Sequence, residues 1–274
     1  MSLGPDALER QAKGMPFAWI VRARRCLAAL PLVLAPACTL TMDTAGPPVV
    51  QRPTFSTTTA TTPRGGLSLE MGADSGPRSR LGVPTTFRWG AGPDTEVTVG
   101  GLLHQQTAEG RTGIGDLEIG TRHRLGAPDL EQPGWAWGWL ARLPLASTDD
   151  GLGTGEIDVQ FNVSRDHLRG VSTVTWYYQL DLLGEPGDEG TDLQHLASWS
   201  VSRPFLGPWG LTAEIAGATA PERDLDAGWA MVSTNVRLDE WSLIDLGVRL
   251  GAGDAEDWAV LVGFGRSLGQ LGIR

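Results

Sequence analysis

Residues 156–164 read Glu-Ile-Asp-Val-Gln-Phe-Asn-Val-Ser, a strict alternation of apolar and polar positions. Successive side chains of a strand point to opposite faces, so Ile157, Val159, Phe161 and Val163 share one face. Glu156, Asp158, Gln160, Asn162 and Ser164 take the other. One strand of this kind is marginal alone, and the chain offers eleven more candidates. Together with 156–164 they span 66–74, 81–90, 96–103, 114–125, 134–145, 168–180, 193–203, 209–217, 228–238, 241–250 and 258–268. The alternation is plain at Trp135, Trp137, Trp139, Ala141 and Leu143, and at Ile244, Leu246, Val248 and Leu250. No segment after the N-terminus has the 18 consecutive apolar residues of a membrane helix.

The connections separate two ways of burying such strands. Residues 90–95, 165–170 and 238–241 read as short turns, and 104–113, 146–155, 183–192, 218–226 and 251–257 as longer polar loops. Short turns alternating with long loops are the habit of outer-membrane hairpins. Residues 126–134 are longer than that scheme prefers. Trp89, Trp135, Trp209, Trp241 and Trp258 fall at segment ends, where interfacial aromatics belong. These features predict an all-β fold, a 12-stranded antiparallel transmembrane barrel of the outer-membrane type, over 64–274. A soluble sandwich or lipocalin-like barrel is the competing solution, with its apolar faces inward.

Composition agrees with many short strands joined by turns: 37 Gly, 18 Pro and 11 Trp in 274 residues. The net charge of −10 argues against a nucleic-acid partner. Both cysteines, Cys26 and Cys38, lie near the N-terminus, so the body of the chain has no disulfide framework.

Arg22, Arg24 and Arg25 precede the apolar run 26–34, and Ala35-Pro36-Ala37 supplies small residues for cleavage. Basic, apolar, then small is a secretory signal peptide, expected over 1–37. A translation start at Met15 would give a more ordinary one. Cys38 follows the cleavage site directly, as in a lipoprotein box, and is the candidate lipidation site. Residues 38–63 are rich in Thr and Pro without usable periodicity and read as an extended segment before the first strand.

Candidate chemistry is sparse. Gly265-Arg266-Ser267-Leu268-Gly269 matches a nucleophile motif, yet no Asp, Glu or His follows it. Asp149, Asp150, Glu156 and Asp158 offer hard oxygens for a divalent cation, although acidic outer loops are ordinarily just solvated. His104, His123, His167 and His195 lack ligand spacing, and no phosphate-binding glycine motif occurs. No enzyme, cofactor or resident metal is expected. The remaining candidates face the inferred lumen: Glu70, Arg88, Asp116, Glu118, Arg122, Arg124, Asp158, Glu214, Asp245 and Arg249. Such charges either set pore selectivity or pair with one another to fill a narrow barrel.

Several segments resemble one bacterial outer-membrane family. Arg52-Pro53-Thr54-Phe55-Ser56 followed by residues 63–72, Pro-Arg-Gly-Gly-Leu-Ser-Leu-Glu-Met-Gly, is similar to its opening motif. Phe87-Arg88-Trp89-Gly90 with Glu96-Val97 resembles its first hairpin, with Trp89 in place of the usual Tyr. Residues 113–120, Leu143-Pro144-Leu145 with Gly153-Thr154-Gly155, and Asp245-Leu246-Gly247 follow in the family's order. The family is the MetA-pathway of phenol degradation group, and the similarity runs from about Arg52 to Phe264. The chain departs from it in ending at residues 268–274 without a terminal aromatic. The resemblance implies a 12-stranded barrel with a transport role.

Residues and resemblance together predict an outer-membrane barrel of a Gram-negative bacterium. It would be surrounded by lipid and would pass small solutes passively, aromatic or otherwise hydrophobic ones among them. The alternatives are a structural or adhesive surface barrel with a closed lumen, and a secreted soluble β-barrel binding protein.

Overall fold

The computed structural model describes residues 38–41, 48–49, 51–77, 79–185 and 190–273. The expected signal peptide and the side chain of Cys38 lie outside the described residues. After a short strand, Cys38–Thr41, twelve strands form one antiparallel sheet. They are β1 (Gly66–Ser75), β2 (Ser79–Gly92), β3 (Thr95–Thr107), β4 (Leu117–Gly126), β5 (Gly134–Leu143) and β6 (Asp158–Arg169). The second half comprises β7 (Ser172–Gly184), β8 (Thr191–Pro204), β9 (Trp209–Ala220), β10 (Leu225–Arg237), β11 (Ser242–Gly253) and β12 (Trp258–Ile273). Each strand pairs with the next, and β12 pairs back with β1 from Val260↔Ser75 to Gln270↔Gly66. The sheet is closed and leaves no free edge, which is what a strand structure needs in lipid.

All twelve expected strands form, but most run further than their hydrophobic alternation. β9 and β10 pair as far as Ala220↔Leu225, so the expected loop 218–226 shrinks to 221–224. The expected turn 165–170 is strand as far as Arg169, and the loop 104–113 loses its first residues to β3, which pairs with β2 up to Thr107. Ladder bonds use only backbone groups, so polar residues prolong a strand once its neighbour is in register. The fourth strand errs the other way and starts at Leu117 instead of 114.

Burial is inverted relative to a water-soluble protein. Phe161, Ile215, Val232 and Val248 are exposed, while Glu70, Glu96, Arg122, Ser164, Glu214 and Asp245 are buried. Val159 is half-buried between these extremes. Outward apolar and inward charged residues exclude the soluble barrel, which would reverse every face. Trp135, Trp209 and the facing pair Trp176 and Trp199 (ring centroids 6.1 Å apart) lie towards the end that carries the turns 93–94 and 170–171. Trp258 lies at the opposite end, so the aromatic girdle is concentrated on the short-turn side.

Candidate functional site

The interior of the barrel holds part of the chain itself. Residues 51–62, expected only as a spacer, run inside the lumen, where Gln51, Ser56, Thr59, Thr61 and Thr62 are buried. A backbone inside a barrel must find partners for its amides and carbonyls. Here the wall supplies them, largely as carboxylates. Glu70 accepts from the amides of Gln51 (2.7 Å) and Arg52 (3.0 Å) through one oxygen. Glu214 accepts from Phe55 (2.9 Å) and Ser56 (2.7 Å), one on each oxygen. Asp166 takes the amide and hydroxyl of Thr59 at 2.7 and 2.8 Å, and Glu96 those of Thr62 at 2.8 and 2.6 Å.

Cations complete the network. Arg88 donates to the second oxygen of Glu70 (2.8 Å) and to Glu96 (3.0 Å), so two plug-holding carboxylates share one guanidinium. Arg122 donates to the carbonyl of Thr58 (2.6 Å), to Asn162 (3.0 Å) and to Ser164, whose hydroxyl donates in turn to the carbonyl of Thr57 (2.6 Å). Ser56 and Ser200 meet hydroxyl to hydroxyl at 3.0 Å. Where the segment leaves the lumen, the Pro63 carbonyl lies so close to Gly90 that a Cβ there would collide with it.

One side of the lumen is apolar. The ring of Phe55 packs on Trp229 (centroids 4.8 Å) beside buried Tyr177, Leu196 and Ala218, with the guanidinium of Arg249 5.1 Å from its centre. On the opposite wall a cavity of about 170 Å³ lies between Thr57 and Arg88, Glu96, Glu118 and Arg122. A second space of about 490 Å³, bounded by Arg203, Trp209, Asn235 and Arg237, lies at the short-turn end.

Most of the sequence candidates meet here. Glu70, Arg88, Arg122, Glu214 and Arg249 touch residues 51–62, and Asp245 lies behind Arg52 with neither carboxylate oxygen hydrogen-bonded. Glu118 and Asp158 share Arg142 at 3.3 and 3.2 Å, nearer the long loops. Asp116 departs from its expected place: it precedes β4 and accepts from the amides of Leu145 (3.0 Å) and Ala146 (2.9 Å), pinning loop 144–157. Its expected strand starts late, so it does not line the barrel. Arg124 lies at the short-turn rim, paired with Asp94 at 2.6 Å.

Two residues that hold the segment were not among the candidates. Glu96 alternates with Val97 and Val99 and was legible as inward, whereas Asp166 fell in a stretch expected to be a turn. Of the loop acids, Asp158 is engaged by Arg142 and Asp150 by Ser147 (2.8 Å), and among the described residues no group of three or more His, Cys, Asp or Glu is placed to hold a metal. Ser267 of the nucleophile-like motif lies within β12, without the strand-to-helix elbow that chemistry needs.

A closed twelve-stranded barrel with an apolar outer belt and a charged interior has the architecture of outer-membrane porins. Solved structures agree on the fold. A KdgM porin in complex with disordered oligogalacturonate superposes with a TM-score of 0.54 at 7% identity, over 73% of this chain and 98% of that one. A NanC porin gives 0.53 at 10% identity, over 73% and 98%. No family model and no curated protein matches the chain.

Proposed function

We propose that the protein is a passive outer-membrane channel for small solutes, narrowed from within by residues 51–62. The observation that carries this reading is how the segment is held. Hydrogen bonds to Glu70, Glu96, Asp166 and Glu214 retain it, and cavities remain beside it and below it. A segment bound through polar contacts in a hydrated lumen exchanges them readily for water. The porin-like fold and the resemblance to the phenol-degradation family support the transport role. No nucleotide-binding motif supplies energy, so a concentration gradient drives passage. The lumen sets acidic residues beside the apolar patch of Trp229, Tyr177 and Leu196, which suits amphipathic solutes, including those with a ring. Its surplus of carboxylates disfavours polyanions such as the oligogalacturonate of the KdgM complex.

The lodged segment also favours a second reading, a structural barrel with a permanently closed lumen. Single-channel recording in planar bilayers separates the two. Discrete conductance steps, with swelling of liposomes in small solutes, support the channel. A silent bilayer and unswollen liposomes, with protein that shows the heat-modifiable gel mobility of a folded barrel, leave the closed barrel.

A further inference from the structure

Arg52 enters the lumen at its most acidic place. Its guanidinium pairs with Asp74 and lies against Gly72, where any Cβ would displace it. Gly72 is the register partner of Gly263 across the β12–β1 seam. Over Gly263 lies the carboxylate of Asp245, again in the space a Cβ would need. Two adjacent glycines thus make a floor, with Arg52 on one half and Asp245 on the other. Glu70 closes the cradle beside them, taking the backbone amide of Arg52.

The fit of this tenant is incomplete. Asp245 is 1% exposed, yet neither of its oxygens has a hydrogen-bond partner, and the Nε of Arg52 has none either. A buried carboxylate without a donor is costly, on the order of several kcal/mol for an unpaired ion after relaxation. The cradle therefore keeps one acceptor aimed at a cation that the tethered arginine does not satisfy. Attachment through residue 51 on one side and Pro53 on the other limits how Arg52 can turn.

We infer that Glu70, Asp74 and Asp245 form a recognition site for guanidinium- or ammonium-bearing solutes, and that Arg52 occupies it as a tethered stand-in. An untethered cation engages both Asp74 and Asp245 and displaces the segment that closes the lumen. This deepens the channel reading by naming a solute class, and it rests on that reading only for the claim that the bound cation then passes through.

The test is isothermal titration of detergent-folded protein with L-argininamide, which carries both cationic groups and no carboxylate. Arg52→Ala, with its gel mobility confirming a folded barrel, should bind at least ten-fold more tightly than the unmodified protein. Adding Asp245→Asn should abolish that gain. Arg52→Gln, which keeps a polar side chain of similar reach, serves if the alanine variant misfolds. In the unmodified protein, excess argininamide should speed hydrogen exchange at the Gln51 and Arg52 amides, whereas equal sodium chloride should not. Equal affinity in unmodified and Arg52-substituted protein, or exchange that argininamide leaves unchanged, overturns the proposal. Binding without bilayer conductance keeps the cradle and removes the channel, and conductance without binding does the reverse.

Discussion

Glu214→Gln isolates the grip of the wall on the lodged segment. The Glu214 carboxylate is 3% exposed and receives two backbone amides, from Phe55 at 2.9 Å and Ser56 at 2.7 Å. Hydrogen bonds to a charged group contribute about 1.5–3 kcal/mol each, against about 1 kcal/mol for a neutral pair. Glutamine keeps one acceptor oxygen and turns an amide group towards the other N–H, so one bond is lost and one weakened. Relief from burying a negative charge offsets part of that cost. A net loss of about 2 kcal/mol corresponds to roughly thirty-fold in the equilibrium that frees the segment. Amide hydrogen exchange of the folded protein in micelles reads this directly. Phe55 and Ser56 should lose about thirty-fold in protection while the ladders of β8 and β9 keep theirs. Unchanged exchange at the two amides refutes the reasoning. A parallel loss throughout the barrel refutes it too, because Glu214 would then hold the wall and not the segment.

Other expectations follow from the same geometry. Arg88→Ala strands Glu70 and Glu96 without their shared cation and should cost about 3–5 kcal/mol in urea unfolding from lipid vesicles. Ile215→Arg, on the outward face midway along β9, should cost about 2–4 kcal/mol in the same assay, while Gln160→Arg, across the wall, should cost far less. In the turn 127–133, the amides of Gln132 and Glu131 hold the Asp129 carboxyl below its ordinary range. A depressed carboxylate stabilises above its unfolded value and loses that contribution as pH falls through the folded one. The Gln132 amide should therefore keep its hydrogen-bonded chemical shift down through ordinary carboxylate pH and lose it only in stronger acid.

The wall of the barrel was legible in the sequence and its contents were not. Alternation at Trp135–Leu143 or Ile244–Leu250 reports one face in lipid and the other in water, and it found all twelve strands. It misjudged their ends because ladder bonds continue through residues such as Thr219 and Asp226, whose side chains carry no hydrophobic signal. Residues 51–62 were opaque for a related reason. A segment packed by backbone bonds to distant carboxylates needs no periodicity of its own, and Thr and Pro there look like any linker. Its partners were half visible: Glu70, Arg88, Arg122 and Glu214 stood out as inward charges, but nothing local distinguishes a carboxylate that lines a pore from one that grips a chain. Glycines carried the missing signal. Gly72, Gly90 and Gly263 interrupt strand alternation where another piece of chain or a carboxylate comes close.

The central claim is that residues 51–62 occupy the lumen and that their departure opens it. Ser56 and Ser200 meet at 3.0 Å between a residue of that segment and the wall. Single-channel conductance of a Ser56→Cys/Ser200→Cys protein in a Cys38→Ser background tests the claim most directly. Oxidised protein should form the disulfide and stay closed, with conductance appearing once reductant is added. If the cysteines fail to join in a folded barrel, or conductance is the same before and after reduction, the segment is not the closure and the account fails.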